Sequence, residues 1–470
     1  MKLEFLRPYI KYLPEVDIPK KKVPFKEKLI WTTLVLVLFF LMGVVYPVGV
    51  TPESLAAKIQ GFEQMTMIFA SEIGSLTSVG IGPIVTASII LQLMSGAEMI
   101  DIDLKTKEGK ALFQGAQKIL TVLIAFFEAG ALVIATSMVG QAGLPILQKI
   151  VEPITAFTIF QIALGSILLM FMDEIVSKWG IGSGISLFIA GGVSKTILVG
   201  ALNPLMQAGA FQGAIPSFIQ QMMLGSLQWV ILFPVIGTVV IFLLTAFGES
   251  MRLEIPLSYG GIRGVGGRFP LKFFYVSNIP VILAAALLAN VSMWSSLAGV
   301  DETTSVAEMS FVQEIIYRIT SMVSLRELYG VISPGRWPLL FDVGVLLHLA
   351  VYLLVFVGLC VLFGQFWVQT TGMDSDSVAK QIREQGMQIP GFRRDERVIK
   401  RVLNRYIPQI TVISSIAVGL VAALADLMGA LGSGTGILLT VGILYRLYEE
   451  LQKEQMADMS PMFRKFLGVE

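Results

Sequence analysis

The sequence predicts an all-α polytopic membrane protein: ten transmembrane helices in two pseudo-symmetric, inverted halves of five. Three observations lead there. Hydrophobic residues make up 54% of the 470 and charged residues 15%, more apolar surface than a water-soluble chain can bury. Apolar runs suited to a bilayer core, which takes about 17–25 residues, centre on 29–46, 82–95, 117–138, 154–172, 183–200, 227–247, 276–293, 340–366, 408–428 and 434–448. The basic residues are sorted by side rather than scattered.

Lys20, Lys21, Lys22, Lys26 and Lys28 precede the first run, and Lys105, Lys107 and Lys110 follow the second. Arg252, Arg263, Arg268 and Lys272 follow the sixth, while Arg383, Arg393, Arg394, Arg397, Lys400, Arg401 and Arg405 follow the eighth. Poorly charged loops alternate with these clusters, so the positive-inside rule puts both termini in the cytoplasm. All six tryptophans fall near the ends of runs, where indole rings favour the headgroup region. The expected location is the cell membrane, crossed many times, or the endoplasmic-reticulum membrane in a eukaryote.

At the N-terminus, segment 3–13 places Leu3, Phe5, Leu6, Tyr9, Ile10 and Leu13 among charges, the pattern of an interfacial amphipathic helix rather than a cleaved signal peptide. The second run is short and interrupted by Gly80-Ile81-Gly82-Pro83. Two glycines weaken the helix up to Gly82, while Pro83 suits the start of a new one, where its missing N–H costs nothing. A helix start at mid-membrane is tolerated only where protein buries the backbone or where it lines a watery cavity. That implies a pathway rather than an anchor.

The fifth and tenth runs both open on glycine, at Gly182-Ser183-Gly184-Ile185 and Gly434-Thr435-Gly436-Ile437. Pro83-Ile84-Val85 in the second run corresponds to Pro280-Val281-Ile282 in the seventh. The halves are 1–225, with runs one to five, and 226–470, with runs six to ten and the cytoplasmic loops 248–275 and 370–407. Because five is odd, the second copy runs through the membrane inverted, as in many proteins that pass solutes, with the pathway at the repeat interface. Chance matches in apolar sequence and close helix packing at glycine are the competing explanations.

Several function classes drop out. Cys360 is the only cysteine and His348 the only histidine, which excludes an internal disulfide and a Cys/His metal cluster. There is no Walker loop, and the glycines at 260–267 lack the spacing and strand–helix context of a dinucleotide site. No cofactor or metal is expected. An intramembrane protease needs paired Asp or a Ser–His motif, whereas Asp342 and Asp426 lie near run ends, so the chain does not read as an enzyme. A secondary transporter with five-plus-five inverted repeats matches the topology equally well, but it would place charges, carbonyls and hydroxyls at its helix breaks. Here the breaks are lined by Ile and Val.

Ile81 and Val85 are four apart on one helical face, as are Ile181 and Ile185 beside the fifth-run glycines. With Ile282 and Leu439 they can converge on one axis as an aliphatic ring, which closes by dewetting and has no ligand-sized polar site. Ordinary helix contacts would use the same residue types. Glu128, in the third run, is the clearest functional suspect among intramembrane polar groups. Its alternative is a packing role only. The arginines of the two loops exceed what orientation requires, and clustered Arg binds polyanions such as ribosomal RNA through phosphate; Arg263, Arg268, Arg393, Arg394 and Arg401 are the candidates.

Four segments together resemble the signatures of the SecY family, the large subunit of the protein-conducting channel, in its archaeal and endoplasmic-reticulum wording. They are Ser78–Leu93, Trp179–Phe188, Tyr275–Ile282 and Ile389-Pro390-Gly391-Phe392-Arg393-Arg394. The resemblance runs from the first apolar run to the last. It implies a channel that passes unfolded secretory chains across the membrane and releases transmembrane segments sideways into lipid. It puts the ring on Ile81, Val85, Ile181, Ile185, Ile282 and Leu439, with Leu438 as the alternative for the last. It implies a plug over about Gly61 to Ser71, including Phe62, Glu63, Gln64, Met65, Thr66, Met67 and Ile68; a fixed re-entrant helix is the other reading. It sets Glu128 beside Thr86 and Asn290 in a lateral gate, and Arg393 on a key loop position. Implied partners are two small single-span subunits of the SecE (gamma) and beta types, the ribosome, signal sequences, nascent polypeptides, membrane lipid and other copies of the channel.

Overall fold

The computed structural model describes residues 13–21, 23–50, 70–96, 106–136, 152–207, 210–225, 228–259, 266–276, 279–297, 320–322, 328–384, 387–388 and 396–458, with Pro8, Met99, Glu314 and Tyr317 besides. Segment 3–13 lies almost wholly outside these residues. Each of the ten apolar runs is helical: α1 Phe25–Met42, α2 Gly82–Gly96, α3 Lys107–Thr136, α4 Pro153–Trp179 and α5 Gly184–Leu202. A short ladder, β1 Met206–Gln207 with β2 Ala210–Phe211, and the helix α6 Ala214–Met223 lead to α7 Phe233–Ser250. The strands β3 Arg252–Tyr259 and β4 Gly266–Lys272 precede α8 Ile279–Leu297, α9 Val343–Thr370, α10 Ser375–Glu384, β5 Met387–Gln388, α11 Glu396–Leu427 and α12 Gly434–Asp458. Among the described residues, six helical stretches are long and apolar enough to cross a membrane, within α3, α4, α5, α7, α9–α10 and α11; α2 and the start of α8 are shorter apolar helices.

Helices α3, α11 and α12 extend well past their apolar runs. The start of α11 shows why: Ile399, Leu403 and Ile407 recur every fourth residue and are buried, while Arg401 and its neighbours on the other face are exposed. Charge made this stretch read as loop, yet it is an amphipathic extension beyond the bilayer.

Packing partners follow a pattern. Helix α2 packs on α3, α3 on α4, α4 on α1 and α5, and α1 on α5, with lighter contact from α2 to α4. Then α8 packs on α9, α9 on α11, α11 on α7 and α12, and α7 on α12, with lighter contact from α8 to α11. Advancing each helix of the first set by five apolar runs reproduces the second. The sets meet along two seams: α2 and α3 against α8 with α2 against α9, and α1 and α5 against α12.

Loops 248–275 and 370–407, named separately from the sequence, form one unit. Strands β3 and β4 pair antiparallel from Arg252↔Lys272 to Ser258↔Gly266, and β5 joins β3 at Ser258↔Gln388 and Tyr259↔Met387. Beneath them Ile255, Leu271, Val378, Ile382, Ile399 and Leu403 make a second apolar cluster. The Tyr275 hydroxyl donates to the Met373 carbonyl at 2.6 Å; burial, and then the charge of Asp374, push its pKa up to about 12. On the same face, segment 13–21 is tied to the end of α4. Lys178 bonds Glu15 at 2.8 Å and the Val16 carbonyl at 2.6 Å, and the Trp179 indole donates to the Asp17 carbonyl at 2.9 Å. The hydrogen bond from Lys178, and then its charge, hold the Glu15 carboxyl below its ordinary range.

Close helix approach depends on glycine. A Cβ at Gly165 in α4 would lie 1.9 Å from the Leu76 carbonyl oxygen, and one at Gly434 would lie 1.9 Å from that of Ala422. By contrast, Gly130 and Gly358 have nothing within 4 Å of such an atom. Gly165→Ala is therefore expected to cost about 3 kcal/mol, the upper range for overpacking, and to lower the melting temperature in detergent. Gly130→Ala and Gly358→Ala should melt at or slightly above the parent temperature.

A candidate pore ring and lateral gate

The interrupted second run is built as its sequence requires. Gly80 has φ +58°, the left-handed conformation that glycine adopts freely, and α2 starts at Gly82 with Pro83 at its second position. The approach to the break is held by its own hydroxyls. Ser75 Oγ donates to the Glu72 carbonyl at 2.7 Å and accepts from the Thr77 N–H at 3.0 Å, while Ser78 Oγ accepts from the Gly74 N–H at 2.9 Å. The Leu76 N–H reaches the Val45 carbonyl at 2.9 Å, tying the turn to the end of α1. Ser75, Thr77 and Ser78 are buried. Irregular backbone at membrane depth is thus sealed inside protein.

Beside the break, Ile81, Val85 and both Leu438 and Leu439 are buried in one large apolar cluster, with Ile185 and Ile282 packed against it. Side chains from α2, α5, α8 and α12 so belong to, or border, one cluster that spans both helix sets. Ile181 is buried but outside that cluster, in the turn before α5, where its N–H donates to Thr32 Oγ1 at 3.1 Å. Ala70, described at the far end of the segment expected to plug the ring, is buried in the same cluster. Phe62, Glu63, Gln64, Met65, Thr66, Met67 and Ile68 lie outside the described residues.

Two aspartates fix the helices that bring Ile185 and Leu439 to the cluster. Asp173 Oδ1, from α4, accepts from the Ile185 N–H at 2.9 Å and the Ser183 hydroxyl at 3.2 Å at the head of α5. Asp426 Oδ1, from α11, accepts from the Gly434 N–H at 2.5 Å at the head of α12. Each carboxyl group satisfies a free N–H at a helix start; the bond to Gly434 is buried, whereas the head of α5 is part-exposed. The approach is close because Gly184 and Gly434 lack a Cβ: one at Gly184 would sit 2.5 Å from Asp173 Cα. Sequence reasoning missed Asp173 and assigned Asp426 no such role. The available signal was an Asp shortly upstream of each glycine-opened helix.

Across the first seam Thr86, Glu128 and Asn290 form a chain of hydrogen bonds. Thr86 Oγ1 donates to Glu128 Oε1 at 2.8 Å and accepts from Asn290 Nδ2 at 3.0 Å, joining α2, α3 and α8. Their exposures are 8%, 3% and 2%, so water does not compete. Yet Asn290 Oδ1, Gln92 Oε1 on α2 and Thr121 Oγ1 on α3 are buried without a hydrogen-bond partner among the described residues. A buried polar atom left unpaired costs roughly 1–3 kcal/mol, against about 1 kcal/mol net from a bond that is made. The seam is therefore held by specific bonds, with the unpaired Asn290 Oδ1 set against them.

Of the basic loop candidates, Arg401 is exposed on the outer face of α11, and Arg268 lies on β4 opposite Pro256. Arg263, Arg393 and Arg394 fall outside the described residues. Between loop and cluster, Arg252 on β3 reaches Tyr445 Oη and Glu449 Oε1 on α12, both at 3.0 Å, and Lys272 on β4 reaches Glu449 Oε2 at 2.8 Å. Among the described residues no group of three or more His, Cys, Asp or Glu is placed to hold a metal ion.

Comparison with known proteins agrees with this architecture. The SecY family model matches residues 75–448. Protein translocase subunit SecY of Methanocaldococcus jannaschii is 44% identical, over 98% of this chain and 99% of its own length. That of Pyrococcus furiosus is 42% identical over 97% of each. A solved protein-conducting channel superposes with a TM-score of 0.80 at 43% identity, over 97% of this chain and 98% of the other. Sec61 in the canine ribosome–channel complex from the endoplasmic reticulum gives 0.78 at 43% identity, with the same coverage. With four-fifths of its length inside one family model and full-length relatives at this identity, the chain belongs to the SecY family.

Proposed function

We propose that this chain is the pore-forming subunit of a protein translocase, passing unfolded polypeptides across the membrane and releasing transmembrane segments sideways into lipid. One observation carries the reading: the buried Thr86–Glu128–Asn290 chain closes a seam directly beside an aliphatic cluster at a broken helix. An apolar constriction without ligands suits a chain of varied side chains, and a hydrogen-bonded seam gives that constriction a way out to lipid. The relatives named protein translocase subunits support it, as does a likeness to a protein-conducting channel. The chain is not itself an enzyme in this reading; directed movement takes its energy from a partner.

In this proposal the ring is Ile81, Val85, Ile181, Ile185, Ile282 and Leu439, and the two sets of five helices are inverted halves that part at the seam. All ten helices cross the membrane, with both termini in the cytoplasm, and the membrane is the plasma membrane, or that of the endoplasmic reticulum in a eukaryote. Segment 61–71 is the plug, its end seated at Ala70 on the ring cluster. Arg263, Arg268, Arg393, Arg394 and Arg401 bind the ribosome, in keeping with the likeness to Sec61 in a ribosome–channel complex. Two small single-span subunits complete the assembly. No observation favours the transporter alternative.

Cysteines placed at Ile81, Ile185 and Ile282 should crosslink to the same residue of a stalled secretory chain; contact from none of them would remove the pore assignment. Asn290→Leu removes a donor but also the unpaired Oδ1, and the second effect is the larger, about 1–3 kcal/mol against about 1. The closed seam is thereby stabilised, so marginally hydrophobic signals should insert several-fold less efficiently while strongly hydrophobic ones are unaffected. Insertion assays over a graded signal series measure this. Reversing Arg393 and Arg394 to Glu should leave insertion of a ribosome-independent substrate intact, lower ribosome affinity and flatten its salt dependence. Equal affinity across salt concentrations would contradict the loop assignment.

A further inference from the structure

The segment between α5 and α7 has no charged residue: from Thr196 through Gly248 there is no Asp, Glu, Lys or Arg. Part of that span is helix inside the membrane, but residues 203–232 are not, and they lie at the end of α7 remote from the β3–β4 hairpin. A connection immersed in water would carry charge and turn its polar groups outward. This one is built the other way round.

Its polar groups are spent on itself. Asn203 Nδ2 donates to Gln212 Oε1 at 2.7 Å, and Asn203 Oδ1 accepts from the Leu205 N–H at 3.1 Å. The N–H groups of Gln212 and Gly213 reach the carbonyls of Leu205 and Asn203, both at 3.0 Å. Gln220 Oε1 accepts from the Phe211 N–H at 3.2 Å, and the Ser217 hydroxyl donates to the Phe211 carbonyl. Apolar groups face outward instead: Leu205 is 66% exposed, Met223 82% and Leu224 75%, with Ile219 and Met222 on the same stripe of α6. The ring of Trp229 lies 5.3 Å from that of Phe218 and leads into α7, whose exposed Ile236, Val239 and Leu243 continue the apolar surface into the bilayer.

We infer that residues 203–232 are a membrane-docking element, with the apolar stripe of α6 and the Trp229 rim seated in the headgroup–acyl boundary of the leaflet remote from the basic loops. A loop that satisfies its own backbone and shows water mainly apolar side chains meets the condition for entering the interface. Continuity with the exposed apolar face of α7, a stretch long and apolar enough to cross a membrane, selects lipid as the occupant. With no charge in the element, seating depends on apolar burial and not on anionic headgroups. This rests on the membrane-spanning fold and is independent of the channel reading.

The test is collision-based depth measurement on the full chain in phosphatidylcholine proteoliposomes. Nitroxide labels go on single added cysteines at Leu205, Met223 and Leu224; Cys360 is buried and stays in place. Leu243→Cys on the exposed face of α7 supplies the lipid reference and Glu384→Cys in the basic loop the aqueous one. Relaxation by oxygen should exceed relaxation by a water-soluble nickel chelate at all three sites, with values between the references and nearer the lipid one, and they should not change when phosphatidylglycerol is added. Values at the aqueous reference would overturn the inference. So would shielding from both reagents, which would mean a protein subunit or a second copy covers the face. Placing Glu at both Met223 and Leu224 should shift the Leu205 label toward the aqueous reference; an unmoved label would show that these side chains do not hold the loop at the membrane.

Discussion

A bilayer core offers no water to an exposed peptide group, and that constraint governs this molecule from the break at Gly80 outward. A helix that starts at mid-depth exposes free N–H groups at its head and carbonyls in the turn before it. The turn from Glu72 to Val79 answers with Ser75, Thr77 and Ser78, and the buried head of α12 answers with Asp426; the part-exposed head of α5 uses Asp173 in the same way. Each solution needs neighbouring backbone at a distance only glycine permits, which is why Gly165, Gly184 and Gly434 stand where they do. Once these irregular points are sealed, α2, α5 and α12 can present Ile81, Val85, Ile185 and Leu439 to a common cluster.

The same constraint explains the character of the seam. In an apolar interior the bonds among Thr86, Glu128 and Asn290 meet no competition from solvent, so they are specific. The unpaired Asn290 Oδ1 counts against that arrangement. A seam welded by leucines alone would be tighter and would open only at high cost. This one is held by a few directional contacts whose loss exposes groups that water or a polar backbone would welcome.

Much of the architecture was legible in the chain because Gly, Pro and charge have sharp backbone and solvation consequences. The break at Gly80–Pro83 and the glycine openings at 182–184 and 434–436 could be read directly. Helix ends were misjudged where an amphipathic extension carries enough charge to imitate a loop, as in α11 before Pro408. The β3–β4–β5 sheet was hidden for a related reason: it lies in a basic, glycine-containing stretch, and its β5 partner comes from more than a hundred residues downstream. Within the site, Glu128 announced itself as a carboxyl in an apolar run. Thr86 and Asn290 carry no such signal and were found only through family resemblance. The proposed ring is the least legible part, since Ile and Val lining a pore would be the same residues as Ile and Val at any helix contact.

The clamp at the root of the hairpin has a mechanical consequence. Arg252 and Lys272 grip Glu449, ten residues along α12 from Leu439, a distance of about 15 Å along a helix axis. A stiff rod thus joins the basic sheet to Leu439 in the apolar cluster, and a load on the sheet arrives there as a push or twist of one helix. The grip is made of partly exposed ion pairs, each worth up to about 1 kcal/mol and weakened by salt. It therefore behaves as a slip coupling, transmitting small displacements and letting go before the helix itself is strained.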